Sequence, residues 1–175
     1  MIQTLAERPT ESEFAPYYGK YIERVPDGDV VASLERGIGE TLSALRAVPE
    51  SRAGYRYAPG KWTLAEMMVH VADTERVMAY RLLRIARGDA TPLPGFEQDD
   101  WVPRSGAAGR TLASVASELE AIRASTLALV RGMPADAWER RGTASGFVFS
   151  ARALAWVIAG HERHHLALLR ERYAA

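Results

Sequence analysis

SARALAWVIAGHERHHLALLRER, residues Ser150–Arg172, is the stretch on which the fold of this chain turns. With Leu154 at zero and an advance of about 100° per residue, Leu154, Val157, Ile158, Leu168 and Leu169 gather into one apolar stripe. His161 falls at about 340° and His165 at about 20°, in the middle of that stripe, and His164 lies on its edge near about 280°. Ser150 is a good N-cap, so the stretch predicts an amphipathic helix running to about Arg172. It carries two imidazoles one turn apart and aimed into the core.

Three further segments repeat the helical pattern. From about Asp29 to Val48, Val31, Leu34, Ile38, Leu42 and Leu45 share a face, with Asp27 or Asp29 as cap and Pro49 as stop. From Thr63 to about Arg87, Thr63 and Glu66 read as a capping box. Leu64, Met67, Met68, Val71, Met78, Leu82 and Ile85 form its stripe, and Gly88 ends it. From Thr111 to Arg131, Leu112, Val115, Leu119, Ile122 and Leu129 point inward, with Gly132 and Pro134 beyond. Four such helices predict an all-α four-helix bundle. The link at residues 88–110 is long for a bundle. Extended, it reaches roughly 70 Å, against about 38 Å for a 25-residue helix. It can therefore cross the whole bundle and let helices two and three run parallel, in up-down-down-up order. Residues 142–149 read as extended. Residues 1–28 read as an irregular wrap, with Tyr17, Tyr18 and Tyr21 packed on the outside.

The chain has 175 residues, 47% hydrophobic and 25% charged. This predicts one soluble domain over 1–175 and excludes a largely disordered chain. Basic and acidic residues balance at 22 each, which gives no electrostatic reason to expect nucleic acid or an anionic membrane as partner. Cysteine is absent. That excludes disulfides, thiolate metal sites and a cysteine nucleophile, and it fits a reducing, cytoplasmic setting. No stretch reads as a signal peptide or a membrane span.

Two central histidines at i and i+4 can converge on one metal ion, since neutral imidazole is a good ligand for zinc and similar cations. The competing reading is a pair of core histidines bonded to backbone or carboxylate groups. A catalytic site needs a third ligand. His70 flanks the stripe of the second helix, among the polar residues Glu66, Asp73 and Thr74. It lies about 10 Å from the start of its helix, and the His161/His165 pair about 14 Å from the end of its own. The three meet at one level if those helices are antiparallel. His164 reads as a rim or second contact, and Lys61-Trp62 as a candidate mouth of a pocket. His161-Glu162-Arg163-His164-His165 also matches the H-E-x-x-H of metalloproteases, but too little chain follows for a downstream third ligand. Glu162 therefore reads as a surface or helix-supporting residue. A di-iron site is excluded because Met67 stands where a second Glu-x-x-His needs its glutamate. The methionines read as core filler.

Lys61-Trp62-Thr63 leading into Glu66 and His70-Val71-Ala72-Asp73-Thr74-Glu75, together with Gly160-His161-Glu162-Arg163-His164-His165, resemble the DinB/YfiT-like superfamily of four-helix-bundle metalloenzymes. The resemblance implies up-down-down-up order and one divalent metal, zinc or nickel, held by His70, His161 and His165. His164, Glu66 and Trp62 are the candidate pocket residues. It implies a small-molecule substrate and a homodimer. The first expectation for activity is transfer of a low-molecular-weight thiol to an electrophile. The alternatives are a metal-dependent hydrolase and a non-catalytic metal-binding or structural bundle. The reacting group would be a coordinated water or thiolate.

Overall fold

The computed structural model describes residues 7–174. The fold is mostly helical: α1 (Gly19–Ile22), α2 (Val30–Arg46), α3 (Leu64–Ala86), α4 (Gln98–Trp101), α5 (Leu112–Arg131) and α6 (Ala151–Leu168). The four long helices, α2, α3, α5 and α6, pack on one another as a bundle. Each starts on the residue type expected of an N-cap. The side chains of Asp29, Thr63, Thr111 and Ser150 accept the free amides of Val31, Glu66, Ser114 and Ala153, satisfying donors that the first turn leaves unpaired. Thr63 and Glu66 complete the capping box. The α-helical ladder of α6 stops at Leu168, short of Arg172, and residues Leu169–Tyr173 continue as a π-helical turn.

The core comes in two apolar blocks. One gathers Val30 and Leu34 of α2, Met78, Leu82 and Ile85 of α3, Leu127 and Val130 of α5, and Leu154–Ala159 of α6. The other gathers Leu42 and Leu45 of α2, Leu64, Met67 and Met68 of α3, Leu112, Val115 and Leu119 of α5, and Leu166 with Leu169. Between them every long helix buries polar residues: Thr41, His70 with Thr74 and Glu75, Arg123 with Thr126, and His161 with Glu162 and His165. Salt bridges pair Glu35 with Arg131 and Arg46 with Glu120 across α2 and α5. In α5 Leu129 is only half-buried, and Leu127 and Val130 take the inner positions.

The extended stretch forms a hairpin, β1 (Arg141–Ala144) against β2 (Phe147–Ser150). Its turn puts Ser145 and Gly146 at φ 53° and 80°, the left-handed conformation of a two-residue type I′ connection. Leu93 of the long link bridges to β1, donating to the Thr143 carbonyl and accepting from Ser145. That link also carries α4 and two short 3-10 turns. Residues 1–6 of the expected wrap lie outside the described residues. The remainder contains short turns at Glu11–Glu13 and Pro16–Tyr18, followed by α1. Tyr17 is exposed, but Tyr21 is buried. The outside position expected for Tyr21 is wrong because α1 packs inward on α6. Among the described residues no helix is long and apolar enough to cross a membrane.

The N-terminal segment is pinned to α6 by Glu13. Its carboxylate accepts from Ser150 Oγ at 2.8 Å, from Arg152 at 2.7 Å and from the Thr10 amide at 2.9 Å. Burial alone would raise its pKa, but Arg152, Thr10 and Ser150 outweigh that and hold it down at about 2, from 4.5. A depressed carboxyl stabilises the fold above its unfolded pKa and loses that contribution as pH falls through the folded one. The contribution is at most about 3 kcal/mol. The stability gap between wild type and Glu13→Gln in urea titrations should close as pH falls from 4.5 towards 2. A gap unchanged over that range would contradict the assignment.

Candidate metal centre

α3 and α6 bring His70, His161 and His165 together. Their rings are almost wholly buried, and one nitrogen of each lies within 4.8 Å of the others. His161 Nε2 is 3.1 Å from His70 Nε2 and 3.2 Å from His165 Nε2. This convergence follows from the helix positions: i and i+4 on α6 share a face, and α3 packs directly against it. Burial, and after it the neighbouring histidines, lowers all three pKa values. That of His70 falls to about 4, and His161 and His165 drop well below the usual value. The rings are therefore neutral at physiological pH, which is the ligating form.

Three imidazole nitrogens turned on one point suit a cation. Ligands about 2.05 Å from a tetrahedral ion stand roughly 3.3 Å apart, close to the two short separations here. His165 Nδ1, the nitrogen on the other side of the ring from this meeting point, is buried with no protein partner. His70 Nδ1 lies 3.5 Å from Thr74 Oγ1, leaving its Nε2 turned inward. No carboxylate joins the three histidines in a common cluster among the described residues.

The other sequence candidates divide. Trp62 lies against His70 as a tilted pair with ring centroids 4.8 Å apart. His164, half-buried, lies edge-on to His165 at 4.9 Å. Glu66 has a different place: its carboxylate accepts from the Thr63 amide at 2.7 Å and pairs with Arg56 at 3.1 Å. That engages it in the capping box of α3, and it does not join the histidine cluster. A cavity of about 370 Å³ opens beside His165, walled by Trp62, Tyr57 and Tyr173, with Lys61 and Asp99 at its edge. The Tyr173 hydroxyl donates to the Trp62 carbonyl at 2.9 Å, which steadies the tryptophan wall. Burial raises the Tyr173 pKa to about 12.

The sequence reading missed the places of Tyr21, Arg123 and Glu162. Tyr21 presents its ring edge-on to His161 and His164, at 5.3 Å and 5.4 Å. Arg123 of α5 is buried and forks onto Glu75, with both bonds at 2.8 Å; it also donates to Glu162 at 2.8 Å and to the Leu34 carbonyl at 2.7 Å. Glu162 is thus a buried partner of Arg123 and no surface residue. Burial raises its pKa against the pull of Arg123. Its engagement removes it as the general base that the H-E-x-x-H pattern would require. The i,i+4,i+8 position of Glu162 relative to Ile158 and Leu166 was the available signal, but a single acidic residue beside an apolar stripe does not disclose a partner on another helix.

Comparison with known proteins gives consistent relatives. The profile of the DinB superfamily matches residues 33–169. A protein of Oceanobacillus iheyensis named "Putative metal-dependent hydrolase OB0413" is 32% identical over 65 residues; the match covers 37% of this chain and 35%, about a third, of that relative. YfiT of Bacillus subtilis, described as a probable metal-dependent hydrolase with an unusual four-helix bundle topology, superposes with a TM-score of 0.71 at 17% identity, covering 95% of this chain and 94% of YfiT. A mycothiol-dependent maleylpyruvate isomerase superposes with a TM-score of 0.68 at 17% identity, covering 83% of this chain and 60% of the isomerase. At such identities the two structures speak for the fold.

Proposed function

The chain belongs to the DinB superfamily, and from that premise we propose that it is a divalent-metal-dependent enzyme acting on a small molecule, with His70, His161 and His165 holding one metal ion. The observation that carries this reading is the meeting of three buried, neutral imidazole nitrogens beside an open cavity. When bound, a zinc or nickel ion would supply a Lewis acid that lowers the pKa of a coordinated water or thiol. The protein's part is to orient and enclose. Thr74 turns His70, Trp62 and Tyr21 cover the rings, and the cavity admits a substrate whose charged groups meet Lys61 or Asp99.

Transfer of a low-molecular-weight thiol to an electrophile is the first reading of the reaction. Its support is the all-histidine donor set and the engagement of Glu162 elsewhere, since a coordinated thiol is deprotonated without a neighbouring base. Hydrolysis is the second reading, favoured by Asp99 at the cavity edge and by the descriptions of two relatives. The same proposal takes the chain as one bundle domain in up-down-down-up order with the 88–110 link as crossover. It is supported by the two core blocks: the first takes the N-terminal halves of α2 and α6 with the C-terminal halves of α3 and α5, and the second takes the opposite halves. A cytoplasmic setting, a homodimer and no nucleic-acid or membrane partner complete it.

Elemental analysis of the purified protein should find about one zinc or nickel per chain, as an open three-ligand site requires. His161→Ala should weaken metal binding by at least about 100-fold, since loss of a mere supporting partner already costs up to that much. Turnover in a panel of thiol cosubstrates with electrophiles, and of ester and amide substrates, should vanish with it. Protein free of metal even after supplementation would sink the reading. A variant that loses metal and melting temperature together, from a parent inactive in every assay, would leave a structural bundle.

A further inference from the structure

A second cavity lies along α3, lined from Asp73, one turn past His70, to Arg81. Its volume is about 430 Å³, within the range of small-molecule sites. Phe96 and Trp101 of the long link form one wall as a tilted aromatic pair with centroids 4.9 Å apart, and Tyr80 adds to the rim. Arg81 lines it and is 2% exposed. It lies 11 residues beyond His70 on the same helix, about 16 Å along the axis. No residue lines both cavities.

Arg81 is unusual for a buried arginine. Its guanidinium donates to the Pro94 carbonyl at 2.7 Å and to Ser145 Oγ at 2.8 Å, contacts Met78 Sδ at 3.8 Å, and lies by the Tyr18 hydroxyl. All of these are neutral. Among the described residues it makes no ion pair, whereas Arg123, the other fully buried arginine, is paired with two carboxylates. A buried charge is normally compensated by an opposite one. The only carboxylate on the cavity wall, Asp73, pairs with Arg76 at 3.2 Å, and Arg76 also binds Glu118 at 2.6 Å. The rim charges are thus neutralised among themselves, and the deep cation is left facing an apolar, aromatic space.

We propose that this cavity is a ligand site distinct from the metal centre, taking a small monocarboxylate with a flat apolar body, its carboxylate on Arg81 and its body against Phe96 and Trp101. Both Nη2 hydrogens are held by Pro94 and Ser145, so a carboxylate would meet the guanidinium through its uncompensated charge and the donors these bonds leave over, and the aromatic pair supplies a face for a ring. The proposal does not depend on the metal reading, and either can fail alone.

Titration calorimetry with 3-phenylpropionate, and with 3-phenylpropanamide as its neutral counterpart, tests it on the protein as purified and after dialysis against 1,10-phenanthroline. The acid should bind at least about tenfold more tightly than the amide, equally well in both preparations, and Arg81→Gln should abolish that preference. Trp101→Ala, at an exposed rim position, should weaken the acid and the amide alike while the circular dichroism stays unchanged. This variant, with the acid-to-amide ratio of the wild type, decides the matter if Arg81→Gln does not fold. Equal affinity for acid and amide, no binding of the acid at about 10 mM, or binding lost on metal removal and retained in Arg81→Gln would each overturn the proposal.

Discussion

Arg123→Met is expected to lower the stability of the fold by about 3–5 kcal/mol, the usual consequence of removing one partner from a buried ionic network. The arginine joins four helices: it stands on α5, forks onto Glu75 of α3, and reaches Glu162 and the Leu34 carbonyl on α6 and α2. Methionine fills much of the volume but leaves two buried carboxylates facing each other without a cation. For a chain of this length the melting temperature should fall by roughly 10 °C. The carboxylates can relieve their repulsion by taking up a proton, so the deficit should be smaller at pH 5 than at pH 8. Adding Glu75→Gln to Arg123→Met should recover part of it, because the two sites touch and their effects do not add. A melting temperature within about 2 °C of wild type for the single variant would show that the network contributes little.

The same network marks where the sequence stops being readable. The helices were legible because their apolar spacing and their caps are local properties: Thr63 with Glu66, Ser150 before its stripe, Gly88 after another. The convergence of His161 and His165 was legible for the same reason, since positions i and i+4 share a face in any helix. His70 needed a topological argument, and its meeting with the pair depends on how α3 lies against α6. The Glu75–Arg123–Glu162 layer was not legible. A charged residue on the border of an apolar stripe looks solvated until its partners, 48 and 39 residues away in the chain, are known. Tyr21 was misplaced for a related reason. Nothing local in residues 17–21 says that the chain will turn inward there; that information lies in a glycine on α6.

That glycine supports the second large expectation. Gly160→Ala should break the close contact of α1 with α6, either at a large cost in global stability or by local detachment of α1. A Cβ at position 160 would lie 2.0 Å from the Tyr21 carbonyl oxygen and 2.4 Å from its carbon. Both atoms are backbone, so no side-chain rotation relieves the overlap, and α1 would have to retreat by about 1 Å or more to reach an ordinary contact distance. Alanine is otherwise the better helix former, by about 1 kcal/mol over glycine. A net loss would therefore isolate the cost of the collision. We expect it to exceed about 3 kcal/mol, in the range of severe overpacking, unless α1 detaches locally. Local detachment would leave the melting temperature nearly intact and raise amide exchange in residues 17–25. It would also lift the Tyr21 ring from His161 and His164, which it meets edge-on at 5.3 Å and 5.4 Å, opening the histidine cluster on that side. Hydrogen exchange read by mass spectrometry, alongside thermal melts, separates the two outcomes. A Gly160→Ala protein unchanged in both would mean that α1 does not approach α6 as closely as described, and the enclosure of the candidate metal centre by Tyr21 would fall with it.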